Sequence, residues 1–374
     1  MMLAENAVRW QRLVDLAQRH CSSFCFIFSM TDRIVVIGAS LSGIDALSEL
    51  ISKLPKDFPA PIFITQHVAS HSPGMLPYLL SKAGPLRAVH PKTGTIFEPG
   101  TVYVAPPDRH MLLQKGYIRL SHGPHENLAR PAIDPLFRSA AVNYGPAVVG
   151  VVLTGQLNDG TSGLLAIKDR GGFTIVQEPR EATARSMPLS AIRHMKVDRV
   201  CTLEQISRLL VELANDAPPE TEPALEKLME IENRIAEGVF NVEDWWSLEQ
   251  MSFPSGLNCP TCRSALYELK DQRVLRYRCR SGHAFSAQSL LSGQADAREA
   301  YLSSLFGALI EEATLAKRLR SEPLFAEDSQ TAESLSNRVD ELDAEANQVS
   351  RWLHAMSGLV EPEPSMSDRP GERT

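Results

Sequence analysis

The sequence predicts an α/β protein built on a three-layer, doubly wound and mostly parallel sheet, followed by a small Cys/His unit and helices. Three observations carry this prediction. Between about residues 33 and 213, short β-branched runs alternate with helical patterns, which is typical of βαβ units. A segment rich in Pro and acidic residues follows at 215–223, and cysteine and histidine then cluster between residues 259 and 283.

The first βαβ units are the clearest. Ile34–Ile37 is a continuous apolar run, a Gly/Ser turn follows it, and apolar residues then recur at helical spacing from Ile44 to Leu54. A second strand, Pro61–Gln66, ends at His67. Together these units predict a Rossmann-like arrangement, with a parallel sheet covered by helices on both faces.

The middle of the chain has a different pattern. Gly and Pro separate short strands such as Thr101–Val104 between residues 86 and 121, which predicts antiparallel hairpins inserted at the sheet edge. The alternation then resumes, with a helix over 134–144, a buried strand over 148–153, a helix after Gly160, and strands at 173–176 and 200–201.

Composition shifts divide the chain into segments. Residues 1–30 form an N-terminal extension, which is either the product of an upstream start codon or a native amphipathic arm. Pro and acidic residues give the linker nothing to bury, and the end of the chain has a disordered composition. The predicted divisions are the extension 1–30, a catalytic domain 31–214, the linker 215–224, a helix and zinc-ribbon-like module 225–292, a helical hairpin 293–358 and a disordered tail 359–374.

Bulk composition excludes several classes of protein. The 374 residues carry a formal net charge of −7, and this acidic balance argues against nucleic acid as a partner. Six unevenly spaced cysteines do not form a disulfide framework. No apolar run approaches the roughly 20 residues that span a bilayer, and the N-terminal stretch lacks a signal-peptide cleavage site. We therefore expect a cytoplasmic protein without direct membrane insertion.

Three residues of catalytic type follow predicted strands. Ser40 follows the first strand, His67 closes the second, and Asp159 lies in the loop after the strand that ends at Leu153. In open α/β sheets such loops meet at one crevice, where imidazole can activate a serine and a carboxylate can orient the imidazole. Taken one at a time, Ser40 is typical of a helix N-cap, His67 of a hydrogen-bonded polar residue and Asp159 of a turn former. Their joint placement favours catalysis.

The segments around these residues resemble a known enzyme family. Ile37–Gly43 is similar to the nucleophile turn of the CheB-type chemotaxis methylesterases, Thr65–His67 to their histidine segment, and Leu153–Gly160 to their aspartate segment. The resemblance covers about residues 33–213, with the motifs in family order. Further similar segments are Tyr103–Pro106, Arg130–Asp134 and Met187–Pro188.

The resemblance implies hydrolysis of γ-glutamyl methyl esters on a chemoreceptor or similar signalling protein, with glutamine deamidation as a side activity and no cofactor for catalysis. Ser40 would attack, His67 would transfer the proton and Asp159 would orient His67. Backbone N–H groups, one at Gln156, would hold the oxyanion.

Two departures from the family pattern bear on substrate binding. Leu41 and Ser42 stand where the family often has Thr and Gly, and Gln156 replaces a common Met. Ser42 is also a second hydroxyl beside the nucleophile. The residues before the first strand are too few for the receiver domain of better-known members, so we expect no phosphoryl control in cis.

Four residues have the spacing of a zinc site. Cys259 and Cys262 form one CxxC knuckle, and Cys279 with His283 forms a second. Tetrahedral zinc prefers such thiolate and imidazole sets, and four protein ligands leave no position open for catalysis. We therefore expect a structural zinc. A CxxC redox pair or plain loop cysteines would leave Cys279 and His283 unexplained.

Other interpretations remain open. The C-terminal helices either pair as an intramolecular hairpin, which is favoured, or present Leu305, Leu309, Leu315 and Leu319 to a partner helix. A nucleotide-binding protein is a weaker alternative, because the turn lacks G-x-G-x-x-G spacing. The second alternative is a non-catalytic signalling adaptor that keeps the esterase fold and binds partners through its zinc and helical modules.

Overall fold

The computed structural model describes residues 33–271, 273–323 and 328–357. The predicted N-terminal extension and disordered tail lie outside these residues. The strands, in chain order, are β1 (Ile34–Ala39), β2 (Ile62–Gln66), β3 (Arg87–Val89), β4 (Thr95–Ile96), β5 (Thr101–Val104), β6 (His110–Gln114), β7 (Tyr117–Ser121), β8 (Val148–Val152), β9 (Phe173–Gln177), β10 (Arg199–Cys201), β11 (Ser252–Asn258), β12 (Ala265–Leu269), β13 (Arg276–Cys279) and β14 (Ala284–Ser286).

The helices of the α/β part alternate with these strands, as predicted, and further helices follow it. They are α1 (Gly43–Ser52), α2 (Leu76–Ala83), α3 (Ile133–Tyr144), α4 (Thr161–Asp169), α5 (Ser186–His194), α6 (Leu203–Asn215), α7 (Lys227–Glu237), α8 (Val242–Gln250), α9 (Ala287–Ser321) and α10 (Ser329–Ser357).

A seven-stranded parallel sheet forms the centre of the α/β part, in the order β10-β9-β8-β1-β2-β5-β3. Helices pack on both faces, which confirms the predicted fold class. The direction of the strand order reverses between β1 and β8, and ligands of open α/β sheets bind at such a switch point. The register pairs Gly38 with Val152 and Ala39 with Gln66, so β1, β2 and β8 end at the same level.

Apolar residues of β1 alternate between the two faces of this sheet and join two separate hydrophobic cores. Val35 and Ile37 pack with α1 and α6 on one face, while Ile34 and Val36 pack with α3 and α4 on the other. Both faces of the sheet are buried because helices cover each of them, which explains the continuous apolar runs in the sequence.

The stretch predicted as antiparallel hairpins divides into two parts. β6 and β7 form an antiparallel hairpin that β4 extends, as expected. β3 and β5, however, pair in parallel with the central sheet, so for these two strands the prediction was wrong. Val102, Tyr103 and Val104 are all buried, which is typical of a strand covered on both faces.

A four-stranded antiparallel sheet, β11-β12-β13-β14, follows α8 and contains the Cys/His cluster; we refer to residues 252–286 as the ribbon. Neither α8 nor β11 was predicted. α8 begins with a capping box, in which Asn241 and Asp244 exchange side-chain and backbone hydrogen bonds.

The chain divides into two compact units. The first contains residues up to 259 together with 263–289, and the second contains 260–262 and the residues from 290 onward. The predicted linker lies within the first unit, and the predicted domain division stays a prediction. In the second unit α9 and α10 share an apolar core to which Leu309, Ala313, Leu342, Ala346 and Val349 contribute.

This packing involves only one of the four leucines proposed for a partner helix. Leu309 is buried in the core of the second unit, whereas Leu305 and Leu315 are exposed. The helical part therefore agrees with intramolecular pairing. Among the described helices, none is long and apolar enough to cross a membrane.

Candidate active site

Ser40 lies in a turn at the carboxyl end of β1 that neighbouring loops hold closely. Its backbone N–H donates to the Thr154 carbonyl at 3.0 Å, and Gln66 Nε2 donates to the Ser40 carbonyl at 2.7 Å. A Cβ at Gly155 would lie 2.8 Å from the Ser40 Cβ and 2.2 Å from Met187 Sδ. Only glycine therefore lets the loop after β8 approach the serine this closely.

His67 lies between Ser40 and Asp159. Its Nδ1 is 3.1 Å from Ser40 Oγ, and its Nε2 donates to Asp159 Oδ2 at 2.6 Å. The bond to a carboxylate requires hydrogen on Nε2, which leaves Nδ1 free to accept the serine hydroxyl proton. The Asp159 side chain is 2% exposed and the His67 side chain is 22% exposed, so the histidine lies closer to solvent than the carboxylate. The three side chains thus contact one another in the order that a Ser-His-Asp relay requires, with Nδ1 facing the serine and Nε2 the carboxylate.

Besides His67, Asp159 accepts hydrogen bonds from the amino terminus of α3, from Gly160 and from Asn127. Oδ2 accepts from the Ile133 N–H at 2.7 Å, and Oδ1 accepts from the Asp134 and Gly160 N–H groups at 3.2 and 3.0 Å. Asn127 Nδ2 also donates to Oδ1, at 2.9 Å. The carboxylate thus caps a helix whose own N-cap residue, an alanine, provides no side-chain acceptor.

Two neighbouring carboxylates differ in protonation behaviour. Burial by itself would raise the pKa of Asp159, but the hydrogen bond and charge of His67, with the N–H donors, lower it to about 2. For Asp134, burial and then the charge of Asp159 raise the pKa well above its usual value. Asn127 Nδ2 lies between the pair and also donates to Asp134 Oδ2, at 2.9 Å.

The residues predicted for oxyanion and substrate binding come from two loops: Leu41 and Ser42 follow β1, and Gln156 follows β8. Leu41 is 52% exposed, and Gln156 is exposed beside the closely packed Gly155. Within the described part of the chain, the Leu41 and Gln156 N–H groups make no hydrogen bond to protein. Ser42 adopts a left-handed conformation (φ 60°) at the start of α1, and its side chain does not cap the helix. The hydrogen-bond donors that these residues leave available to a ligand are thus the backbone N–H groups of Leu41 and Gln156.

Some residues of this site could not be recognised as such from the sequence. Gln66 orients the Ser40 turn, and Asn127 contacts Asp159, yet neither is an acid, base or nucleophile. Asn127 has a left-handed backbone (φ 51°), which asparagine tolerates well. That local preference predicts a turn, and no sequence pattern pairs it with a residue 32 positions away.

The four Cys/His residues come together in the ribbon. The ligand atoms of Cys259, Cys262, Cys279 and His283 all lie within 4.8 Å of one another. His283 Nδ1 is 3.7 Å from Cys259 Sγ and 3.5 Å from Cys279 Sγ. Tetrahedral zinc with ordinary Zn–S and Zn–N bonds separates sulfur and nitrogen by about 3.6 Å. The donor set and its spacing therefore fit a zinc ion.

A buried ion cluster joins the ribbon to the α/β part. Glu126 Oε1 accepts from Arg138 at 2.7 Å and from Arg278 at 3.2 Å. Glu232, on α7, accepts from Arg276 at 2.7 Å and from Arg278 at 3.0 Å. Arg278 is fully buried. The α/β part, α7 and the ribbon thus share one charge network within the first unit.

Comparison with known proteins identifies the family. The CheB methylesterase profile matches residues 35–210. A protein of Leptospira interrogans, provisionally named protein-glutamate methylesterase/protein-glutamine glutaminase, is 38% identical over 185 residues, which are 49% of this chain and 96% of that protein. The chain belongs to the CheB methylesterase family. The predicted resemblance to this family is thereby confirmed.

Other CheB relatives match the same half of the chain. A protein-glutamate methylesterase/protein-glutamine glutaminase of Anaeromyxobacter dehalogenans is 41% identical over 181 residues, 48% of this chain and 53% of that protein. The chain thus spans about half the length of this relative. The crystal structure of the Thermotoga maritima CheB methylesterase catalytic domain is 34% identical, covers 49% of this chain and 99% of that one, and has a TM-score of 0.47.

Proposed function

We propose that this chain hydrolyses γ-glutamyl methyl esters on a chemoreceptor-type protein through Ser40, His67 and Asp159, and that it also deamidates glutamine. The observation that carries the proposal is the 3.1 Å contact of Ser40 Oγ with His67 Nδ1, whose other nitrogen donates to a buried carboxylate. This arrangement lies in a domain of the CheB methylesterase family.

Acylation uses His67 as a base. Ser40 Oγ attacks the ester carbonyl carbon while its proton moves to His67 Nδ1, and Asp159 stabilises the imidazolium that forms. The backbone N–H groups of Leu41 and Gln156 are the donors offered to the oxyanion. Collapse of the intermediate breaks the bond to the methoxy oxygen, which takes the proton from His67 and leaves as methanol.

Deacylation repeats these steps with water. His67 removes a proton from water, the hydroxide attacks the acyl-Ser40 carbonyl, and the serine oxygen leaves with that proton. The product is a glutamate carboxylate. A glutamine side chain would follow the same route, with ammonia in place of methanol. No step needs a cofactor.

We propose zinc as a structural metal of the ribbon. Cys259, Cys262, Cys279 and His283 would hold it, and it would supply folding free energy to the ribbon. The spacing of the thiolates around His283 Nδ1 supports this assignment.

The proposed partner is a methyl-accepting receptor or a similar signalling protein, met in the cytoplasm. The alternative is an adaptor that keeps the esterase fold and binds partners through its ribbon and long helices. The close contacts of Ser40, His67 and Asp159 favour the enzyme.

Methanol release from methylated receptor tests the enzyme proposal. The full chain should release methanol, and Ser40→Ala should lower the rate by about 10⁴-fold or more with the fold retained. Ser52→Ala, on the far end of α1, is the control. Loss of activity in Ser42→Ala but not in Ser40→Ala would reassign the nucleophile, and an inactive wild type on both esters and glutamine would favour the adaptor.

Elemental analysis tests the metal proposal. The purified chain should carry about one equivalent of zinc, and the Cys259→Ser/Cys262→Ser variant should carry almost none. A folded wild type that contains no metal would contradict the assignment.

A further inference from the structure

Asn127 connects the catalytic carboxylate to the ribbon. On one side, Nδ2 donates to Asp159 Oδ1 and to Asp134 Oδ2, both at 2.9 Å. A primary amide has two hydrogens to donate, so both are used on the two carboxylates. The amide thus separates two buried acids that would otherwise face each other with less screening.

The other side of Asn127 is held by the end of the ribbon and the first turn of α9. Its Oδ1 accepts from the Ser286 N–H at 2.9 Å and from Ser289 Oγ at 2.8 Å. Its backbone N–H donates to the Ala284 carbonyl at 2.8 Å. These contacts determine which way the amide faces, because the oxygen must point toward the ribbon donors and the nitrogen toward the carboxylates.

The ribbon segment that makes these contacts begins directly after a residue of the Cys/His cluster. Ala284 follows His283, and the Ala284 N–H donates to the His125 carbonyl at 3.2 Å. Glu126, between His125 and Asn127, accepts from the buried Arg278 of β13. Residues 125–127 therefore follow the position of the ribbon, and the position of β14 depends on the Cys/His cluster that precedes it.

We propose that Asn127 is a positioning residue for Asp159 and that the ribbon, held by its Cys/His ligand set, sets the reactivity of Ser40 through it. The inference rests on the proposed role of the Ser40, His67 and Asp159 relay. When the ligand set is lost, β14 no longer holds Asn127 Oδ1, Asp159 loses one of its donors, and His67 is no longer oriented for Ser40.

Asn127→Gly tests the first half of this inference, because glycine accepts φ 51° while the side chain is removed. The readout is the rate at which a fluorophosphonate probe labels Ser40 in the full chain, which needs no receptor. We expect labelling to slow by about 10- to 100-fold, since misplaced catalytic groups cost rates of this order. The low-field N–H proton resonance of His67, which reports its bond to Asp159, should weaken or shift.

Two further variants separate positioning from folding. Asp108→Gly removes another residue with a left-handed backbone (φ 58°) and should leave labelling unchanged. Asn127→Asp keeps the size and backbone preference but replaces the donor with a third carboxylate, and it should label at least as slowly as Asn127→Gly. If both Asn127 variants are labelled at the wild-type rate, the positioning role is overturned.

Metal removal tests the second half. Zinc loss from the full chain, verified by elemental analysis, should slow labelling of the wild type by about tenfold but that of Asn127→Gly by less than about twofold, because coupled changes are not additive. Cys259→Ser should reproduce the effect of chelation. Unchanged wild-type labelling after verified metal loss, equal slowing of both proteins, or an absence of bound metal would overturn the coupling.

These outcomes are distinct from those of the proposed function. If labelling of Ser40 slows in the Asn127 variants as expected but the wild type releases no methanol, the receptor-ester substrate is wrong and the positioning role is retained. If methanol release depends on Ser40 but not on Asn127, the proposed function is retained and the positioning role is wrong.

Discussion

Asp159 and Glu232 are both buried carboxylates of the first unit, but their surroundings differ. Glu232 faces the arginines of the buried ion cluster, whose charges oppose the effect of burial and lower its pKa. Among the described residues, Asp159 accepts hydrogen bonds from backbone N–H groups, Asn127 and His67, with no arginine or lysine among its partners. Dipoles thus hold the first carboxylate, and fixed cations hold the second.

This difference matches what each carboxylate must do. A fixed cation beside Asp159 would disfavour the imidazolium that His67 becomes when it takes the serine proton. Oriented dipoles keep Asp159 ionised without adding a competing positive charge, so the carboxylate can respond to His67. Glu232 has no partner that changes charge, and arginine is suited to it. The four predictions below test this contrast.

The largest effect is expected from Asp159→Asn. An amide in place of the carboxylate carries no charge to stabilise the imidazolium, and its NH₂ group can hold His67 in the wrong tautomer, so kcat for methanol release should fall by about 10⁴-fold. The control is Asp169→Asn, whose carboxylate pairs with the half-exposed Arg273 outside the site. Circular dichroism should show a folded protein. A loss smaller than about tenfold would mean that dipoles alone orient His67.

Glu232→Gln should act on stability. Arg138 and Arg278 would then share one carboxylate, Glu126, while Arg276 would keep its contact with Asp271. Breaking a buried ion pair costs about 3–5 kcal/mol in the free energy of unfolding. Urea denaturation measures the change. In Glu249→Gln, which loses only a 3.8 Å surface contact with Arg280, the change should stay below about 1 kcal/mol. Equal losses of unfolding free energy in both variants would show that burial of the ion cluster does not increase its contribution to stability.

Acid should weaken the capping role of Asp159. Its folded-state pKa of about 2 lies below the usual 3.8, so its contribution to stability is present above about pH 4 and is lost as the pH falls toward 2. The contribution amounts to about 2 kcal/mol. The stability gap between wild type and Asp159→Asn in urea denaturation should therefore shrink between about pH 6 and pH 3. A gap that stays constant with pH would contradict the lowered pKa.

The smallest effect is expected at Gln156. If its backbone N–H is the oxyanion donor, Gln156→Ala should change kcat by less than about threefold, whereas Gln156→Pro, which lacks that N–H, should lower it by about 10²- to 10³-fold. Steady-state methanol release distinguishes the two. A large loss in the alanine variant would assign the role to the side chain and weaken the view that backbone dipoles dominate this site.

Much of the fold follows from local sequence. Buried β-branched runs and helical spacing predict the βαβ units, and Ser40, His67 and Asp159 could be placed in one crevice because β1, β2 and β8 end together. The parallel pairing of β3 and β5 could not be predicted, since a three- or four-residue run carries no information on strand direction.

The support of the site depends on contacts that are distant in sequence. Asn127 Oδ1 accepts from Ser286, which lies 159 residues further along the chain, and such a pairing arises only from tertiary packing. The Cys/His cluster is the opposite case. Metal ligands have a chemical signature in their own spacing, so the four residues could be named before their positions were known.

The same oxygen atoms of Asp159 serve His67 and the start of α3, and this has an evolutionary consequence. A lineage that abandons the esterase reaction can replace Ser40 without disturbing a helix, because its hydroxyl supports nothing else in the described structure apart from the contact with His67. Replacement of Asp159 would leave the Ile133 and Asp134 amides without their acceptor. Descendants that lose activity should therefore diverge first at position 40 and retain an acid at position 159.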